Sequence, residues 1–488
     1  MDNKKAEAGG SSEARMASGS VRWLVLSYSI PTIIGMTVNS LYGIADRFWV
    51  GQIQGAGHLA LSGIGLSLPI TNIIMALSML AGIGAAANIS IQLGKGNREG
   101  ARVTAANALT VILIFCLLFT VFGYAFAPQF LSLVGATPEL LPYSLPYTRI
   151  IIGGSVFNMA SFAMNHPIRA TGNPRRFALT QLVGGITNIV LDPIFIFVFG
   201  LGVEGAAIAT IISQAVAAVM VFSYYFSKDA VLKLSWANMR PRPSVIKAIF
   251  SIGVSPFILQ LTNSFIVALA NSKLAEYGAR DLGLGGDAAA IGAMTVIMSV
   301  NMLFCMPVFG INQGSQPIVG FNYGRRNASR VKSAFLWSAL YAVIITTFGF
   351  LVVQIGAEGL VSAFNKDGAL TGIGSKGMRI FLCMLPLVGF QIPASNFFQA
   401  IGRAKMSIVL SLLRQVLLLV PLYFILPPFF GLDGVWAAQP ISDFIATAVS
   451  CALIAREFKI LDRKLKPQEP PAVEPSALEP AGINAPKD

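Results

Sequence analysis

The sequence predicts an all-α polytopic membrane protein, with twelve transmembrane helices in two six-helix lobes, parallel repeats of one another around a central cavity. Three observations predict it. Of 488 residues, 55% are hydrophobic and only 12% charged, about half the charge of an ordinary soluble chain at roughly 25%. Apolar runs long enough to cross a bilayer recur along the chain, and the second half repeats motifs of the first. This composition excludes a disordered chain, a disulfide-built secreted domain and an ordinary cytosolic enzyme.

A membrane helix needs about 20 mainly apolar residues. Such runs occupy 22–50, 58–83, 102–127, 143–165, 177–199 and 205–227, then 248–275, 288–314, 333–356, 378–400, 406–429 and 435–455. Span 1 is long because it includes an interfacial start and a polar end at Asp46 and Arg47. Residues 1–20 are polar and mixed in charge, and the apolar run from Val21 is too long for a signal-peptide core, so no cleavable signal is expected. Cys116, Cys305, Cys383 and Cys451 lie inside apolar runs without a CxxC pair. They read as buried small apolar residues, with neither zinc nor a disulfide framework. His58 and His166 lie near span ends, where interfacial positions are expected.

The net charge is +13. With the N-terminus cytoplasmic, all but eight of the 35 Lys and Arg residues fall in cytoplasmic segments. The eight are Arg47, Arg149, Lys273, Arg280, Lys366, Lys376, Arg379 and Arg414. That is the positive-inside pattern, so the charge is a topology signal and no nucleic-acid partner is needed. The predicted organisation is a polar cytoplasmic tail over 1–20, an N-terminal six-helix lobe over 21–227 and a cytoplasmic linker over 228–247. A C-terminal six-helix lobe over 248–456 and a disordered cytoplasmic tail over 457–488 follow; the last stretch is rich in Pro, Ala and Glu with little to bury.

The halves align at a nearly constant shift. LGKGNREGARV (93–103) faces FNYGRRNASRV (321–331) at 228, RATGNPR (169–175) faces QAIGRAK (399–405) at 230, and GLGVEGAA (200–207) faces GLDGVWAA (431–438) at 231. Six spans per repeat is even, so both halves enter from one face and are parallel repeats about an axis along the membrane normal.

Acids within the bilayer carry the functional information, since an unpaired Asp at a helix centre costs roughly 2.5–3.5 kcal/mol on insertion scales. Three acids fall within spans: Asp46, Asp192 and Asp443. Asp192 lies four residues after Asn188 on span 5, on the same face, and Pro193 loosens the helix beside it. On span 1, Asn39, Tyr42 and Asp46 form a polar stripe. Thr210, with Gln214 one turn on, gives span 6 a polar face. At the repeat shifts the partners of Asp46 and Asp192 are Asn271 and Leu422, so the repeat scaffold itself does not require the acids. Two carboxylates facing one cavity repel, which favours uptake of a proton or Na⁺. The alternative is that each acid satisfies a basic neighbour: Arg47 stands beside Asp46, and Arg414 is the expected partner of Asp443. Other motifs fail. GLGVEG joins two apolar helices without a βαβ context, and neither GxxxxGK[ST], HExxH nor GxSxG occurs.

In order along twelve spans, YGIADRFWVG, GKGNREGA, RATGNPR, NIVLDP, GVEGAAIAT, QAIG and LLRQ resemble the multidrug and toxic compound extrusion (MATE) transporters, best the bacterial MepA-like and DinF-like branch, over about residues 20–460. The resemblance implies export of organic cations in exchange for H⁺ or Na⁺ at a bacterial inner membrane, with both termini cytoplasmic and no cofactor beyond the coupling ion. It places the coupling site on Asp46, Asn188, Asp192 and Thr210. Asp46, Asn188 and Asp192 become metal ligands if the ion is Na⁺. One branch of the family uses acids on spans 7 and 10; here span 10 has none and Glu276 stands only at the end of span 7. Asn39, Tyr42 and Asn158 are expected to contact the substrate. The expected partners are small organic cations or drugs and membrane lipid, with the chain a monomer and not an enzyme. A second cargo class, a lipid-linked sugar, would need cationic residues for its pyrophosphate, and Arg47, Arg149, Arg379 and Arg414 stand in or near spans.

Overall fold

A computed structural model describes residues 12–53, 57–134, 136, 138, 140–227, 230–283, 285–364 and 368–465. These form helices and turns, with no strand among the described residues. Nine helices each fill one predicted span: α1 (Val21–Gly51), α2 (Gly57–Gly94), α3 (Arg98–Leu133), α4 (Leu141–Ala170), α5 (Pro174–Pro193), α6 (Gly202–Phe226), α7 (Pro243–Leu282), α8 (Gly286–Gly324) and α9 (Ala328–Phe364). α10 (Gly368–Phe381) and α11 (Leu385–Ala400) make the tenth, bent by 48°. α12 (Ala404–Leu412) and α13 (Leu419–Ile425) make the eleventh through a π-helical stretch, Leu413–Leu418, and α14 (Pro427–Lys464) completes the set.

Among the described residues, ten of these twelve spans are apolar enough to cross a membrane on length and composition, the bent pair taken as one. The other two are α4 and α14, which carry buried polar side chains such as Asn165, His166, Arg169, Asp443 and Glu457. Leu117, Val121 and Phe122 of α3 and Phe348 and Ile355 of α9 are more than half exposed. An apolar exterior of this kind fits a hydrocarbon surround.

The core falls into two clusters. One joins α1–α4, Ile196 after α5 and α6 to Ile318 and Phe321 at the end of α8, Val331 and Phe335 at the start of α9, Phe397 and Phe398 of α11 and Ile454 of α14. The other is confined, among fully buried described residues, to positions 266–438. The two halves therefore share a core at the end that carries both termini and have separate cores at the other end. Backbones approach closely at the shared end: a Cβ on Gly253 would lie 1.9 Å from Leu80 O, and one on Gly314 would lie 2.7 Å from Ser29 Cα.

Equivalent turns in the two halves set the repeat register. Gly96 (φ 77°) precedes Asn97, whose Oδ1 accepts from Gly100 N; Arg326 (φ 58°) precedes Asn327, whose Oδ1 accepts from Arg330 N. Gly172 (φ 84°) and Gly402 (φ 76°) match in the same way. Turn for turn the offset is 230, which corrects the 228 alignment of the first motif by two residues. Shared Gly96 and Gly324 drew the sequence alignment off the position that has positive φ.

Element ends also differ from expectation. Residues 12–18 of the expected N-terminal tail (1–20) are helical and docked: Met16 is fully buried, Ser12 Oγ donates to Gly172 O at 2.9 Å, and Arg330 Nη2 donates to Gly19 O at 2.7 Å. The expected linker (228–247) gives way to α7 at Pro243, since proline suits the first helical turn. α14 runs through Lys464, into the expected tail (457–488), where buried Glu457 meets Arg403 at 2.9 Å. His166 is buried between Phe162 and Phe177 rather than interfacial; the side chain of His58 lies outside the described residues. Cys451 is exposed, whereas Cys116 and Cys305 are buried.

Candidate functional site

α1 and α5 both run away from the terminus-bearing end, and small residues let them touch. A Cβ on Gly35 would meet Ala178 Cα at 3.3 Å, and one on Gly185 would meet Val38 Cγ1 at 2.8 Å and Tyr42 Cβ at 3.8 Å. Carried one further turn along each helix, this register sets Tyr42 and Asp46 beside Asn188 and Asp192, because 185, 188 and 192 share one face of α5, as 38, 42 and 46 share one face of α1. The Asp46 and Asp192 charges act on each other, and both act on the Tyr42 hydroxyl.

α6 closes the third side. Gly184 packs against Ala217 and the Ser213 carbonyl. One turn on, Asn188 Nδ2 donates to Asp192 Oδ1 at 3.0 Å and to Thr210 Oγ1 at 3.4 Å. Asp192 is fully buried, Asn188 almost so, and Thr210 and Asp46 half-buried. Asp192 Oδ2 and Asn188 Oδ1 are buried without a hydrogen-bond donor among the described residues. The backbone departs from α-helix at this point. Pro193 has no N–H to give, and Ile194–Val198 continues as π-helix, a form often found at functional sites. Gly205 lets α6 begin against this segment; its Cβ would lie 2.6 Å from Phe195 O.

The result is a pocket of oxygen acceptors on α1, α5 and α6 with two carboxylates and a surplus of lone pairs. Among the described residues Asp192 has no ion-pair partner. Such a group of oxygens is suited to a proton or a small hard cation.

Residues 31–194 and 282–425 match the sequence profile of the MatE family. The chain belongs to the MatE family. Relatives in sequence include the multidrug export protein MepA of Staphylococcus saprophyticus, 25% identical over 434 residues (88% of this chain and 92% of the relative). MepA of Staphylococcus haemolyticus is 26% identical over 433 residues (88% and 93%). A solved structure described as the outward-facing conformation of a multidrug resistance MATE family transporter of the MOP superfamily has a TM-score of 0.84 at 26% identity, covering 92% of this chain and 98% of its own. A MOP superfamily transporter from Pyrococcus furiosus, described as having a binding pocket of reverse polarity that suggests a different function, gives the same values. As a MatE protein the chain is a multi-pass membrane transporter, not an enzyme.

The MatE helices bring the four expected coupling residues, Asp46, Asn188, Asp192 and Thr210, to one place. Tyr42 joins them. The side chains of Asn39 and Arg47 lie outside the described residues. Asn158, on α4, is half-buried, and among the described residues no hydrogen bond ties its side chain to the cluster.

The second half of this MatE chain holds a different arrangement. Arg414, in the π-helical stretch, pairs with Asp443 at 3.5 Å, while Gln439 Nε2 donates to both Asp443 oxygens at 3.1 and 3.2 Å. Ser442 Oγ donates to Arg414 O at 2.6 Å. Arg149 stacks on Tyr124 and Arg379 pairs with Glu358. Among the described residues each of these three arginines thus has a partner of its own.

One cluster had no forewarning in the sequence. Arg169, placed among the cytoplasmic charges by its position near a span end, is instead fully buried at the end of α4. It donates to Gln313 Oε1 and, at 2.8 Å, to Gln316 Oε1 of α8, and it lies 3.2 Å from His166 Nδ1. It therefore ties the first half to the second. Counting charges along a sequence registers nearness to a helix end but not depth, so only the facing glutamines on span 8 could have hinted at it.

Proposed function

We propose that this chain is a multidrug exporter of the plasma membrane that exchanges bulky, often cationic, organic compounds for H⁺ or Na⁺. Its termini lie in the cytoplasm, and its two lobes (21–227 and 248–456) rock about the core they share. The observation that carries the coupling assignment is the buried surplus of acceptors: Asp192 Oδ2 and Asn188 Oδ1 have no donor among the described residues and stand beside a second carboxylate. A proton or Na⁺ entering from the outer side relieves the repulsion between Asp46 and Asp192. It also removes the negative charge that would hold an organic cation in the cavity, so ion and passenger exclude each other without touching. If the ion is Na⁺, Asp46, Asn188, Asp192 and Thr210 supply its oxygens. The MepA relatives are named multidrug export proteins, which supports the cargo class.

Proteoliposomes loaded with ethidium test this directly, with a pH gradient and a Na⁺ gradient imposed separately. One gradient should drive efflux in the native protein. Efflux indifferent to both would overturn ion coupling.

A further inference from the structure

At the terminus-bearing end, a groove of about 690 Å³ lies between the first turns of α9 and the last turn of α14. Its polar part is Ser329, Lys332, Ser333 and Asp462, and its wall is Leu336, Trp337 and Leu340. Lys332 Nζ sits 2.5 Å from both carboxylate oxygens of Asp462 and 5.5 Å from the Phe458 ring centre. Arg22 lies 5.2 Å over the Trp337 ring, which is tilted against Tyr341 at 5.7 Å. Cations and amphipathic rings gathered in this way mark a membrane–water boundary.

The groove opens onto the bilayer. Leu336, Leu340, Ile344, Phe348, Leu351 and Ile355 recur at helical spacing and are 47–83% exposed, forming one uncovered apolar face of α9. Ile355 lies about 35 Å along the helix from Lys332 at 1.5 Å per residue. A hydrocarbon core is about 30 Å thick. With the stripe in the acyl chains, the groove sits at headgroup level.

We propose that this groove binds a phospholipid with an aminoethyl headgroup, its phosphate on Lys332 and the Ser329 and Ser333 hydroxyls, its ammonium on Asp462, and one acyl chain along Leu336, Leu340 and Ile344. The charge pattern selects this class. An anionic glycerol headgroup offers the Asp462 carboxylate only neutral hydroxyls and no cation to pair with it, and a choline headgroup has no N–H to donate. A zwitterion with a primary amine exchanges the Lys332–Asp462 pair for two matching pairs. An exposed ion pair of this kind contributes little, so opening it is no obstacle.

The test uses the full chain in nanodiscs with dibrominated acyl chains on ethanolamine, choline or glycerol phospholipids. The signal is the Trp337 fluorescence, taken as the difference between the native protein and Trp337→Phe. Half-maximal quenching should need at least about fivefold less of the ethanolamine lipid than of either other, and Asp462→Asn should abolish that preference. Lys332→Gln should weaken the ethanolamine and glycerol lipids together. Native mass spectrometry should show fewer retained ethanolamine lipids per chain in Asp462→Asn, a surface variant that keeps the fold. Equal quenching by all three lipids, strongest quenching by the anionic lipid, or a preference that survives Asp462→Asn would each overturn the proposal.

Discussion

Two buried carboxylates on α5 and α14 differ in one respect. Asp443 has a guanidinium 3.5 Å away, whereas among the described residues Asp192 has only the Asn188 amide as donor. Removing one partner of a buried pair costs about 3–5 kcal/mol, and replacing both with apolar groups can be neutral. Arg414→Leu should therefore lower thermal stability sharply, and Arg414→Leu with Asp443→Leu should recover most of it, as read by melting in detergent. At the first site, Asn188→Ala removes a hydrogen bond to a charged group, worth about 1.5–3 kcal/mol. If the ion is Na⁺, its apparent affinity should fall at least about tenfold with the loss of the Asn188 oxygen; if it is H⁺, proton uptake should become easier instead, because the N–H that favoured the charged carboxylate is gone. An unaltered ion dependence of transport would count against Asn188 as part of the site. The Asn188–Asp192 pair was legible in the sequence because four residues place two side chains on one helix face. The Arg414–Asp443 pair was legible because only one base lay near that acid. The meeting of Asp46 and Asp192 was expected from two acids facing one cavity and from the family resemblance, but the contact that makes it, Gly185 against Val38 across two helices distant in sequence, was not legible.

Among the elements, the α1–α5 contact at Gly185 is the most sensitive to volume. A Cβ there would stand 2.8 Å from Val38 Cγ1, and overpacking typically costs about 1–3 kcal/mol. Gly185→Val should force α1 from α5, separate the carboxylates and abolish ion-coupled efflux while leaving the chain in the membrane. The turn before α9 offers a change in the opposite direction. Arg326 is the only non-glycine residue with positive φ among those described, a conformation that costs an L-residue roughly 1–2 kcal/mol. Arg326→Gly should raise the melting temperature, since Gly96 already serves the equivalent turn without strain. The twelve elements themselves were plain from run length and hydropathy. The π-helical stretches were not, because Pro193 signals a loosened helix but not the form it takes, and no proline marks the one at Leu413–Leu418. The docked N-terminal helix was also hidden, since residues 12–18 look polar until Met16 is seen to be buried.

At the scale of the whole molecule, one shared core and one pair of separate cores make a body that is closed at one end. Arg169 bridges the halves at α4 and α8, beside backbones that meet at Gly253 and Gly314. Loss of its hydrogen bonds should favour opening there by about 1.5–3 kcal/mol. Arg169→Ala should shift spin-label distances across the terminus-bearing face to longer values, and an unchanged distribution would remove Arg169 from the closure. The repeat announced the two halves, but only the buried residues of each helix end revealed where they join. The central claim is that Asp46 and Asp192 let an inorganic ion and an organic cation exclude one another. Equilibrium binding of ethidium to the purified protein, titrated with H⁺ and with Na⁺, measures this most directly. In the native protein one of the ions should release the dye, and in Asp192→Asn and Asp46→Asn dye binding should lose its dependence on that ion. The same ion-driven release in both variants would contradict the account.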